Sequence, residues 1–187
     1  MDYGYYYDCA RSRYYNACSQ INSCQNRINE YEVEKRNTVN LINMLKTKIK
    51  DHEEAYEDVC DIIKNETDLN SKLNKVVQST ASASTNYTSM VSSDKVTVKN
   101  LDTVFSEEIT GTKSTLKSIV ETLKVKKNKL STKIIELKAQ LSSAQTKLQE
   151  LTSKIASTRI SMDDWRSTRS SASIDMEYYS RKMSEED

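Results

Sequence analysis

The chain has 187 residues, a formal net charge of +1, no proline and two glycines, Gly4 and Gly111. Average usage would put Gly at about 7% and Pro at about 5%, so sheet-based folds, which need turn residues to reverse the chain, give way to long helices. A hydrophobic fraction of 36% and a mean hydropathy of −0.72 are low for a spherical core, and the balanced charge exerts no pull toward nucleic acid or anionic membrane.

From the N-terminus, alternate steps of 4 and 3 residues from Tyr3 meet Tyr7, Ala10, Tyr14, Ala17, Ile21, Cys24, Ile28 and Tyr31. The same register continues through Lys35, Thr38, Ile42, Leu45, Ile49, His52, Tyr56, Val59 and Ile63. Only Lys35, Thr38 and His52 are not apolar. A repeat of 3.5 residues sustained this far predicts a coiled-coil helix over about 3–77.

The pattern weakens over about 79–110. Leu73, Val77, Tyr87, Val91, Val98 and Leu101 stay in phase, while "QSTASASTN" offers little to bury. The register shifts by one residue around Phe105 to Ile109, and Gly111 follows as the natural terminator of a helix. Thr112 or Ser114 would then cap the next one. One or two shorter middle helices are expected here, with a chain reversal between Ser79 and Asp94.

The last run is the strongest. From Ile109 the register meets Lys113, Leu116, Val120, Leu123, Lys127, Leu130, Ile134, Leu137, Leu141, Ala144 and Leu148. It continues through Leu151, Ile155, Thr158, Met162, Trp165, Arg169, Ala172, Met176, Tyr179 and Met183. Only Lys113, Lys127, Thr158 and Arg169 are polar, so a long helix is predicted over about 112–184. Polar seam residues such as Lys127 fix register or pairing.

Two seams of similar length on one chain satisfy each other when they lie antiparallel. The expected architecture is a single all-α domain over 1–187, an elongated antiparallel helical hairpin of coiled-coil type in which residue i faces roughly residue 187 − i. That pairing explains the distribution of tyrosine. Six of the eleven lie in the first 15 residues and two more, Tyr178 and Tyr179, near the end. The hairpin brings Tyr7 and Tyr14 beside Ala172, Met176 and Tyr179, with Trp165 about two turns further in. Tyr5, Tyr6, Tyr15 and Tyr178 fall off the seam. Aromatic side chains with a polar tip are enriched at interfaces, so Tyr3, Tyr5, Tyr6, Tyr7, Tyr14, Tyr15, Trp165, Tyr178 and Tyr179 form the candidate partner-binding set. Shielding of a frayed helix end is the first role such residues fill, and partner docking is the second.

No chemistry competes with this reading. One histidine, His52, leaves no nucleophile–base arrangement beyond a seam position, and two glycines exclude a Gly-rich phosphate loop. Cys9, Cys18, Cys24 and Cys60 contain no Cys-x-x-Cys pair, so they read as small thiols on helix faces in a reducing compartment. The acidic "DHEEAYED" lacks the spacing and glycine of a calcium loop, and the basic "KVKKNK" lacks interleaved aromatics. Neither catalytic residues, nor a metal, nor a cofactor is expected, and nucleic acid is not an expected partner. No segment reaches the roughly 18 consecutive apolar residues of a membrane span. No secretory signal peptide is read at the start, so the expected compartment is the cytoplasm.

The opening "YYYDCARSRYYNACSQINSCQNRINEYE", the middle "LNKVVQSTASASTNYTSMV" and the closing heptads resemble small helical proteins of bacterial type VII secretion systems. These are the WXG-type, YwqH-like and LXG-toxin-associated families. Where the WXG-type proteins carry Trp-x-Gly between two helices, this chain has Trp165-Arg166-Ser167 within a heptad run. The family's export signal, Tyr followed four residues later by an acid, is Tyr178 followed by Lys182 and Tyr179 followed by Met183 here. The resemblance implies a helical partner or targeting chaperone for the N-terminal helices of a secreted toxin, and export by a route independent of a signal peptide. Self-association as a coiled-coil spacer or scaffold is the alternative.

Overall fold

A computed structural model shows two helices, α1 over Tyr3–Met90 and α2 over Lys95–Glu186. It describes residues 2–90 and 95–186, without the side chains of 80, 83–90, 95–102, 104, 105 and 186. The helices pack against each other as an antiparallel hairpin, and no strand occurs among the described residues.

The seam explains the pairing. Every α1 position in register from Tyr3 to Ile63 is buried or half-buried, as are the α2 positions from Ile109 to Trp165. Ala10, Ala17, Ile28, Leu45, Leu151, Ile155 and Ala172 are among the most enclosed. Burying a Leu or Ile contributes roughly 1.5–3 kcal/mol, so this stripe outweighs any exposed ion pair, each worth ~0.5.

The paired residues form two compact units. One joins the stretch up to Lys46 to the stretch from Gln140 onward. Within it Arg13 Nη2 donates to Asp175 Oδ2 at 2.8 Å, Arg159 Nη2 to Glu32 Oε1 at 2.8 Å, and Lys147 Nζ pairs with Glu34 Oε1 at 2.7 Å. The second spans Thr47–Ala139, where Lys138 Nζ pairs with Glu53 Oε1 at 2.7 Å and Lys127 Nζ lies 5.4 Å from the Tyr56 ring centre. In each unit the partner of residue i lies close to 187 − i, as the hairpin expectation requires.

The polar seam residues are accommodated individually. Thr38 and Thr158 are buried, and each hydroxyl donates to the carbonyl four residues earlier, Glu34 at 2.9 Å and Lys154 at 2.7 Å. Their polar atoms are satisfied within their own helices. Lys127 covers the Tyr56 ring with its ammonium group, a cation–π contact.

Three sequence expectations are corrected. Gly111 does not end a helix: it lies inside α2, and neither glycine has a positive φ. Gly in a helix interior costs about 1 kcal/mol relative to Ala, far less than the seam contacts of Ile109 and Val120 on either side of it. Thr112 is therefore no cap; its hydroxyl donates to the Glu108 carbonyl at 2.9 Å, within the helix. The one or two middle helices are not separate elements, because α1 continues to Met90 and α2 begins at Lys95. The reversal expected between Ser79 and Asp94 is not corrected, since α1 ends and α2 begins on either side of 91–94, which lie outside the described residues. The in-phase side chains of Tyr87, Val91, Val98 and Leu101, and the register shift at Phe105, also lie outside them.

Near the C-terminus the seam drifts. Arg169 and Met183 are exposed, whereas Thr168 and Lys182 are half-buried. A guanidinium stays solvated where a threonine tucks in at little cost, and the Thr168 hydroxyl is satisfied by the Asp164 carbonyl at 3.0 Å.

Candidate functional site

The start of α1 is fixed by a cap that the sequence reading passed over. Asp2 Oδ1 accepts from the Tyr5 backbone N–H at 3.0 Å, satisfying one of the free donors of the first turn. The only sequence signal is an Asp just before the first seam residue. This cap orients the first turn, and with it Tyr3, Tyr5 and Tyr6.

Against that turn lies the end of α2. The Tyr6 and Tyr179 rings stack with centres 5.5 Å apart and planes 22° from parallel, and Tyr3 meets Tyr179 at 6.5 Å. Tyr5 packs edge-on to Tyr6 at 5.7 Å, and Tyr178 edge-on to Tyr179 at 5.2 Å. Five rings from the two chain ends thus form one cluster. Aromatic pairs at these separations contribute about 0.5–1.5 kcal/mol each beyond area burial.

The cluster is only half enclosed. Tyr5 is 62% exposed and Tyr178 49%, while Tyr3, Tyr7 and Tyr179 are half-buried. More than two turns further along α1, Tyr15 is exposed, stacks edge-on with Tyr14 at 5.7 Å and carries the Arg11 guanidinium 5.8 Å from its ring centre. A hydrogen bond with the Cys9 thiol raises the Tyr5 phenol above its ordinary pKa.

Trp165 belongs elsewhere. It is half-buried and packs, with Ile21, against the core cluster of Cys24, Ile28 and Met162. It therefore packs in the seam, as its register position implies. Tyr6 is the reverse case: read as off the seam, it supplies the closest ring contact between the helices.

Among the described residues no three His, Cys, Asp or Glu side chains gather closely enough to hold a metal ion. His52 is half-buried, with Nδ1 2.8 Å from the Lys48 carbonyl oxygen. No described helix is long and apolar enough to cross a membrane. Of the four free cysteines, Cys24 is buried and Cys9 exposed. No protein-family model matches the chain, nor does any curated protein or solved structure.

Proposed function

We propose that the chain is a non-enzymatic helical binding protein, an adaptor that offers its tyrosine-bearing helix ends to a helical partner. In line with its resemblance to type VII secretion-associated families, the partner is the N-terminal helical region of a secreted toxin, for which the chain serves as targeting chaperone. The observation that carries this reading is the half-open ring cluster: Tyr5 and Tyr178 expose large amphipathic side chains beside the Tyr6–Tyr179 stack. Tyrosines that are rigidly held and partly exposed bind partners at low entropic cost.

The test is co-expression and affinity capture with helical domains encoded by adjacent genes. Capture of such a domain, weakened about tenfold or more by Tyr5→Ser combined with Tyr178→Ser, supports the proposal. Failure to bind any of them, or capture indifferent to both substitutions, counts against it. Self-association is the second reading. It is favoured by a separate feature of the Thr47–Ala139 unit, where Ile62, Leu69 and Ile119 stand about half exposed on one flank.

A further inference from the structure

In heptad terms the seam occupies positions a and d, and the residues beside it occupy e and g. In an antiparallel pair the two e columns adjoin along one flank and the two g columns along the other. Within the Thr47–Ala139 unit these flanks differ in chemistry. The e flank is mostly polar and bridged: Glu53 pairs with Lys138, and Cys60, Thr67, Lys124 and Ser131 share that side. The g flank is apolar on α1, with Ala55, Ile62 and Leu69, and is continued on α2 by Ile119, Lys126 and Lys133. Ile62 is 50% exposed, Leu69 45% and Ile119 48%. An apolar strip of this kind is more than a two-helix seam requires, and it marks an interaction surface.

The strip has charged edges of opposite sign. A groove of about 480 Å³ lies at its Ala55 end, lined by His52, Ala55, Val59 and Leu130 and edged on the α2 side by Lys126, Lys129 and Lys133. On the α1 side the outer column next to the strip carries Asp51 and Asp58, both exposed. Lys133 is engaged by Glu136 of its own helix. Lys126, Lys129, Asp51 and Asp58 have no ion-pair partner among the described residues.

An acidic edge, an apolar floor and a basic edge, in that order, form a surface complementary to itself. Laid face to face about a two-fold axis along this unit, two copies set the acidic α1 edge of each against the lysine edge of the other. Rotation about that axis preserves position along the hairpin. Since residue i lies opposite 187 − i within one copy, Asp58 of each copy meets Lys129 of the other, while Asp51 meets Glu136, which is itself paired with Lys133. We propose that the g flank of the Thr47–Ala139 unit is a homodimer interface, isologous, with Ile62 and Leu69 at its apolar centre and Asp58–Lys129 pairs at its edges. This goes beyond the adaptor reading and uses none of its tyrosines.

Sedimentation velocity of the full chain tests it, with Asp58→Lys, Lys129→Asp and the double variant, circular dichroism confirming that each remains helical. The expected result is a dimer whose fraction rises with protein concentration and falls with salt. Either single substitution weakens the dimer about tenfold or more, and the exchanged pair restores it. Tyr5→Ser with Tyr178→Ser leaves the dimer unchanged, which separates this test from that of the adaptor proposal. A monomer at all concentrations overturns the proposal, as does a dimer indifferent to the swaps or a double variant without recovery. A monomer that instead uses its lysine edge to bind an acidic helix of another protein overturns it as well.

Discussion

Leu151 keeps 2% of its surface exposed, whereas Tyr5 keeps 62%, and the two positions separate folding from docking. Leu151→Ala should destabilise the chain by about 2–5 kcal/mol, the range for emptying a packed leucine site. Tyr5→Ser should change stability by no more than about 1 kcal/mol. Urea melts followed by circular dichroism measure both, and similar midpoint shifts would mean that the ring cluster is core. A third residue links charge to pH. The hydrogen bond with Lys147 holds the Glu34 carboxyl below its ordinary range. A depressed folded pKa means that the pair stabilises above the unfolded carboxylate pKa of about 4.3 and loses that effect as pH falls through the folded value. Glu34→Gln should therefore melt below the parent chain at pH 7, and the gap should shrink as pH falls through the carboxylate range. A gap that keeps the same size across that range would show that the ion pair contributes nothing.

At the scale of the helices, sequence reasoning succeeded where many weak signals add and failed where it trusted a single one. The apolar register from Tyr3 to Ile63 and from Ile109 to Trp165 is present in the residue types themselves, so the seam was legible. Gly111 was misread because a lone glycine marks a helix end only when a positive φ or a new direction is needed, and neither glycine has a positive φ. The interior position is directly testable. A Cβ at Gly111 would meet nothing within 4 Å, so Gly111→Ala should raise stability by roughly 0.5–1 kcal/mol through reduced backbone entropy of the unfolded chain. Loss of stability instead would indicate that the glycine holds a break in α2. The Asp2 cap and the drift from Arg169 to Thr168 escaped notice for another reason. They depend on local geometry that a fixed repeat does not encode.

For the molecule as a whole, two amphipathic stripes on one chain can bury each other only by running in opposite directions, and this links the tyrosines at its two ends. Their meeting was legible from residue numbers alone, and Trp165 packs at the seam position that its heptad register gave it. The apolar g flank was not anticipated, since Ile62, Leu69 and Ile119 stand out only once the a and d positions are known to be filled by the partner helix. The pairing of i with 187 − i is the claim on which both proposals rest. Pulsed electron spin resonance of two doubly labelled chains, one at positions 16 and 171 and one at 65 and 122, each diluted into unlabelled protein, tests it most directly. Packed helices lie about 8–10 Å apart, so each sample should show an intramolecular distance on the order of 20 Å. Helices running on as one extended rod would separate 16 from 171 by roughly 230 Å at about 1.5 Å per residue, and the absence of any short distance in either sample would contradict the hairpin.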